Sequence, residues 1–144
     1  MNVQTILGAK GTAVYTITAD ASLADAVVTL RDRGVGSLVV SNDGRSIDGI
    51  ISERDVVRAM AAHGGAALGR QVSSAMSTDV ITCTTDDSVD SLMASMTTRR
   101  IRHLPVADGE GKLGGLVSIG DVVKARLGQL ESENEHLVNY IQGG

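Results

Sequence analysis

The sequence predicts an α+β fold built from two tandem β-α-β-β-α units and closed by a C-terminal helix. Three observations predict it. The chain falls on itself without a gap when shifted by 66 positions, Thr16 onto Thr82. Each copy alternates short β-rich runs with stretches of helical spacing. Helical spacing then continues beyond the second copy to about Ile141. In the shifted alignment Thr16-Ile17-Thr18-Ala19-Asp20 meets Thr82-Cys83-Thr84-Thr85-Asp86, and Ser22 meets Ser88. Residues 34–40 meet residues 100–106, and Ile51-Ser52-Glu53-Arg54-Asp55-Val56-Val57 meets Val117-Ser118-Ile119-Gly120-Asp121-Val122-Val123. Agreement at Thr, Ser and Asp as well as at apolar positions marks an internal repeat.

The elements follow in order. Val3, Ile6 and Leu7 suggest a short lead-in helix, ended by Gly8 or Gly11. A β run opens each copy, at residues 13–18 and 80–84. Asp20 with Ser22, and Asp86 with Ser88, supply helix-start chemistry. Leu23, Ala26, Val27 and Leu30 recur at i, i+3, i+4 and i+7, as do Val89, Leu92, Met93 and Met96, which predicts amphipathic helices. Strands at 37–40 and 103–106 lead through polar turns at 42–44 and 108–111 to strands at 49–51 and 115–117. A second helix starts after Ser52 and after Ser118. Pro105 removes a ladder donor from its strand, which suits an edge position or the mouth of a pocket. Residues 61–76, with Gly64, Gly65 and Gly69, connect the copies, and Val72 and Met76 suit a short helical turn there. The expected division is 1–66 for the first unit with its lead-in, 67–127 for the second and 128–144 for a helical extension. A half of about 60 residues is marginal alone, so the two sheets are expected to pack face to face as one compact domain.

Composition narrows the function. The 144 residues include one cysteine, Cys83, which excludes an intrachain disulfide and reads as a small apolar residue. The N-terminus has no basic start followed by an apolar stretch, and no window approaches the ~18 apolar residues of a membrane helix. A cytoplasmic location is expected. The net charge of −4, the absence of Phe and Trp, and only two Tyr argue against nucleic acid as a partner, because single-strand binders use basic grooves with stacking aromatics. Phosphate-loop spacing (Gly-x-x-x-x-Gly-Lys-Ser/Thr) is absent, His63, His103 and His136 have no metal-ligand spacing, and no nucleophile–base pair occurs. No enzymatic activity, catalytic residue or catalytic cofactor is expected.

The most informative motif is Gly-apolar-apolar-Ser-x-x-Asp, present as Gly49-Ile50-Ile51-Ser52-Glu53-Arg54-Asp55 and as Gly115-Leu116-Val117-Ser118-Ile119-Gly120-Asp121. One reading is structural: each Ser caps a helix and each Asp closes a capping box, worth about 0.5–2 kcal/mol. The other is functional. A helix N-terminus attracts anions, and a carboxylate beside it can accept hydrogen bonds from ribose hydroxyls, as in dinucleotide folds. The copies differ in charge, because Arg54 becomes Gly120 while Gly34 and Gly36 become Arg100 and Arg102. Arg99-Arg100-Ile101-Arg102-His103 is the densest positive patch of an acidic chain. It reads either as a solvated face or as phosphate capture, for which Arg has matching bidentate geometry.

Over residues 13 to 127 the chain resembles the CBS-domain pair, the module named after cystathionine β-synthase. The likeness is greatest to small stand-alone bacterial CBS-pair proteins that carry Ser-Glu-Arg-Asp in the first copy and Arg-His-Leu-Pro-Val with Ser-Ile-Gly-Asp in the second. The resemblance implies a regulatory module that binds adenine nucleotides (AMP, ADP, ATP or NAD(H)). It assigns ribose to Asp55 with Ser52 and to Asp121 with Ser118. It makes pocket walls of Thr16, Ile17, Val35, Gly36 and Ser37 in one copy and of Thr82, Cys83, His103, Leu104 and Pro105 in the other. Arg54, Arg100 and Arg102 complete the expected ligand-binding set, and the charge asymmetry predicts two inequivalent sites.

The last helix carries Leu127, Leu130, Asn134, Leu137 and Ile141 at 3-4-3-4 spacing. They fit alternate a and d positions of a short coiled coil, with Asn134 fixing register, or a helix lying on its own domain. CBS pairs often form homodimers, so the tail is expected to assist self-association, with an effector protein as a further partner. A ligand-independent docking module with vestigial pockets is the alternative to a sensor.

Overall fold

The computed structural model describes residues 1–143. Helix α1 (Val3–Lys10) precedes β1 (Thr16–Ile17), α2 (Leu23–Arg33), β2 (Ser37–Val40), β3 (Gly49–Ser52) and α3 (Glu53–His63). Two 3₁₀ turns, Gly64–Gly69 and Val72–Ser74, join this half to α4 (Val89–Arg99), β4 (His103–Ala107), β5 (Leu113–Ser118) and the long α5 (Ile119–Gly143). In the first half β1 runs parallel to β2, pairing Thr16 with Val39, and β2 runs antiparallel to β3, pairing Leu38 with Ile51. In the second half β4 and β5 pair antiparallel, Leu104 opposite Val117. This is the predicted α+β repeat.

Local chemistry sets the helix ends. The Ser22 and Ser88 hydroxyls accept from the Asp25 and Ser91 N–H groups, each at 3.0 Å, satisfying donors that a helix start leaves free. Leu23, Ala26 and Leu30 then face one core, and Val89, Leu92 and Met96 the other. Val27, assigned by spacing to the buried stripe, is 37% exposed. The helix ends differ informatively. Gly34 ends α2 in the left-handed region (φ 63°), and its counterpart Arg100 ends α4 in the same region (φ 54°). A side chain is strained there, and Arg100 is the one non-glycine residue with positive φ among those described.

The β run expected at residues 80–84 contracts to a single parallel bridge, Cys83 with Val106. The Cys83 N–H donates to the Pro105 carbonyl (3.0 Å) and the Ala107 N–H to the Cys83 carbonyl (2.8 Å). Extending that ladder by one step requires an N–H on residue 105 aimed at Ile81, and proline has none. Pro105 therefore lies between Cys83 and β5, neither at an edge nor in the lining of the inter-half cleft, the two places its sequence suited, and it shortens the neighbouring strand.

The segments that lead into each half cross over. Val3, Ile6 and Leu7 of α1 are buried in the core of the second half, with Cys83, α4, β4 and β5. Val72, with Ala75 and Met76 packed around it, completes the core of the first half. The motif glycines explain themselves here. A Cβ at Gly115 would lie 2.9 Å from Leu7 Cδ2, and one at Gly49 would lie 2.9 Å from Met76 Sδ and 2.8 Å from the Ser77 carbonyl oxygen. Each glycine is the place where the crossing segment lies down on a strand.

Candidate functional site

Both Ser-x-x-Asp segments form capping boxes. At α3 the Ser52 N–H and hydroxyl donate to Asp55 Oδ2 (2.9 and 3.0 Å), and the Asp55 N–H donates to Ser52 Oγ (3.4 Å). At α5 the Ser118 N–H donates to Asp121 Oδ2 (2.9 Å) and the Asp121 N–H to Ser118 Oγ (3.1 Å). The structural role leaves the functional one open, because Asp55 Oδ1 accepts nothing from the described residues. The two aspartates then diverge. Asp121 Oδ2 also receives the Lys10 ammonium at 2.6 Å, and the same ammonium donates to the Leu116 carbonyl at 2.9 Å. That pairing and the Ser118 N–H hold the Asp121 carboxyl below its ordinary range against the opposing effect of burial.

A cleft of about 320 Å³ opens between the halves. It gathers Gly36, Ser37, Ser52, Arg54 and Asp55 from the first half and Arg100, Arg102 and His103 from the second. Gly36 and His103 meet between the halves: a Cβ on Gly36 would sit 3.5 Å from His103 Cε1. The other expected residues are outside the lining. Thr16 and Ile17 form β1, Ile17 and Val35 pack on the first core, and Cys83 and Leu104 belong to the second core. Thr82 is exposed, Pro105 is a buried strand residue, and Ser118 and Asp121 form the second cap. Burial pushes the Cys83 thiol up to about 11, which keeps it protonated and unreactive at neutral pH.

The cleft also holds residues that the sequence reading missed: Ile50, Glu53, Arg58, Ser77, Ile101 and Ile119. Arg58 had a findable signal, since it follows Arg54 by four residues and shares its helix face. Arg54, Arg58, Arg100 and Arg102 converge on the lining with only Glu53 and Asp55 as opposing charges. None of the four arginines forms an ion pair among the described residues. Four unpaired guanidinium groups in one concavity attract anions and match phosphate oxygens. Ser37 adds a polar contact point. It is 2% exposed, lines the cleft, and its hydroxyl has no hydrogen-bond partner among the described residues. Such an orphan costs about 1–3 kcal/mol.

Burial holds the His103 imidazole below its ordinary value of 6.5, with Arg102 and Lys10 adding to the effect and Glu53 and Asp121 opposing it. His103 is therefore neutral at pH 7 and can both donate and accept. Below about pH 6.5 the unfolded imidazole takes up a proton that the folded one resists. Stability is thus expected to fall as pH drops from 7 toward 5. Denaturant midpoints across this range check it, and a His103→Gln variant should lose that part of the slope.

The CBS domain model matches residues 11–62 and 72–128, both halves of the repeat. The chain belongs to the CBS-domain family. Among its relatives, the mitochondrial CBS domain-containing protein CBSX3 of Arabidopsis thaliana is 39% identical over 131 residues, which are 88% of this chain. The match covers 63% of that plant protein, so the chain spans less than two thirds of its length. A CBS-domain containing protein of Agrobacterium tumefaciens superposes with a TM-score of 0.82 at 42% identity, over 87% of this chain and 98% of that one. A CBS domain protein of Pyrobaculum aerophilum, complexed with AMP, shares the fold at a TM-score of 0.72 and 23% identity, over 84% and 89% of the two chains. In this CBS pair the two halves meet at a cleft to which each contributes two arginines. Among the described residues no helix is long and apolar enough to cross a membrane, and no cluster of His, Cys, Asp and Glu could hold a metal ion.

Proposed function

We propose that this CBS pair is a regulatory module that binds an adenine nucleotide (AMP, ADP, ATP or NAD(H)) in the inter-half cleft and answers by a change in conformation or stability. The observation that carries the reading is the buried, unpartnered Ser37 hydroxyl in the wall of a cleft that also presents Asp55 Oδ1 and four unpaired arginines. A nucleotide supplies a partner for each: a diol for the aspartate, phosphates for the arginines, and a polar edge for the serine. The volume of about 320 Å³ lies near the lower end of the ~300–1,000 Å³ typical of ligand sites, which favours one ligand. The AMP complex of the Pyrobaculum protein supports the same ligand class. Regulation then follows from a difference in affinity between two conformations, and no catalytic step is required.

Thermal unfolding of nucleotide-stripped protein tests the reading, with AMP, ADP, ATP, NAD and NADH as ligands and GTP as control. At ~100 times its dissociation constant a ligand adds about 2.7 kcal/mol, roughly 5–10 °C for a domain of this size. A flat response to every adenine nucleotide would sink the reading.

The tail supports a second element of the function, pairing with another copy of this chain. Leu127, Leu130, Leu137 and Ile141 are 44–75% exposed along α5, beside Asn134, a pattern that suits a helix awaiting a like partner. Removing residues 128–144 is expected to convert a homodimer to a monomer by light scattering while nucleotide affinity is retained. The reverse result, unchanged dimer with lost affinity, would assign the tail to the site.

A further inference from the structure

The second half contains the same capping box as the first, yet its aspartate lies outside the lining of the inter-half cleft and carries the ammonium of Lys10. The ammonium of Lys10 lies 2.6 Å from Asp121 Oδ2 and 2.9 Å from the Leu116 carbonyl. It bonds the capping oxygen of Asp121, whose counterpart in the first half, Asp55, stands open to the cleft, and so places a positive charge directly on the Asp121 carboxylate. Building on the nucleotide reading, we infer that Lys10 is a built-in occupant of the Asp121 site, so that each chain offers one open nucleotide site and keeps a second latched by its own N-terminal helix.

The two crossing segments explain why only one site is closed. Leu7 lies against Gly115, and Met76 lies against Gly49, so the two are structural counterparts. Three residues beyond Leu7 comes Lys10, on the same face of α1 and in its last turn. Three residues beyond Met76 comes Asp79, which is exposed and carries the wrong sign to pair with Asp55. The chain there is also not helical, because the 3₁₀ turn ends at Ser74. The first half thus lacks both the cation and the helical turn that deliver it. Arginine placement follows the same division. Arg54 stands beside Asp55, and Gly120 stands in its place beside Asp121. Asp55 thus has arginines of the cleft beside it, whereas the cation beside Asp121 is a lysine of the chain's own first helix.

The latch also ties the end of α1 to the start of α5. Lys10 is the last residue of α1, followed by Gly11 at φ 94°, and Asp121 sits in the first turn of α5. A nucleotide that entered the second site would have to displace Lys10, releasing the end of α1 from the start of α5.

Isothermal titration with AMP and with ATP tests this on the full chain. The native protein should bind one equivalent. Lys10→Met, which keeps the methylene stem and removes the charge, should bind two, and Lys10→Arg should bind one. In a Lys10→Met, Asp55→Ala double variant one equivalent should remain, and adding Asp121→Ala should remove it. Two equivalents in the native protein, or one in Lys10→Met alongside one in the native protein, would overturn the latch while leaving the cleft's function intact. No binding by either would overturn the nucleotide reading and the latch together. Circular dichroism of each variant separates loss of a site from loss of the fold.

Discussion

Replacing Asp55 with alanine is expected to weaken adenine-nucleotide binding at least tenfold, about 1.4 kcal/mol, and to lower folding stability by about 0.5–2 kcal/mol. The two losses come from different oxygens of one carboxylate. Oδ2 holds the Ser52 N–H and hydroxyl, so its removal undoes the cap of α3. Oδ1 has no partner among the described residues and is the atom available to a ribose diol. Because the functions are divided, they can be separated. Asp55→Asn retains one carbonyl oxygen, which can take over the Ser52 N–H and preserve much of the cap. It leaves an amide donor facing the ligand, which cannot accept hydrogen bonds from a diol. Stability near that of the native chain with affinity reduced tenfold would establish the division. An Asn variant that binds as tightly as the native chain would return Asp55 to a purely structural role.

The Arg100→Gly, Arg102→Gly variant should lower ATP affinity at least about a hundredfold, on the basis of ~1.5–3 kcal/mol for each charge-assisted hydrogen bond. It converts the second half's turn into the Gly34-Val35-Gly36 form of the first half while leaving Arg54 and Arg58 in place. AMP, with fewer phosphate oxygens to share, should lose less, and the salt dependence of ATP binding should flatten. Arg100→Gly alone carries an opposite sign for stability. Arg100 occupies the left-handed region at φ 54°, where its counterpart is Gly34 at φ 63°. Relieving that backbone should stabilise the fold by up to about 1 kcal/mol. A more stable protein that binds ATP less well would mark Arg100 as a residue held in strain for the sake of the cleft. Urea denaturation and calorimetry on the same sample measure both.

Much of the architecture was legible because the repeat presents every signal twice. Ser22 and Ser88 both cap, Asp55 and Asp121 both close boxes, and the apolar spacing of α2 recurs in α4. Where single residues broke the repeat, reading was harder. Pro105 stands opposite Val39 in the alignment, and its missing N–H reduces the second opening strand to one bridge. The cleft was legible at Arg54, Arg100, Arg102 and His103, since charge differences between copies are visible in the alignment. Lys10 was not, because its partner lies 111 residues away and no local spacing links them. Ser77 and Ile119 escaped for a similar reason: the cleft is assembled by the meeting of the halves, and neither residue belongs to a strand signal that faces it.

The crossing of the leading segments has a consequence for how the chain acquires its structure during synthesis. The first half cannot close its core until Val72 has left the ribosome, well after its own last helix ends at His63. Helix α1, made first, must wait longer still, because Val3, Ile6 and Leu7 seat against residues as late as Val117 and Val122. At about 5–20 residues per second this delay lasts several seconds. An apolar helix without its seat is an aggregation hazard for that time, and neither half can finish alone. The crossed connections make folding a single, late event, and they also mean that a polypeptide cut between Gly64 and Gly69 would have its two pieces clasped together by the segments they exchange.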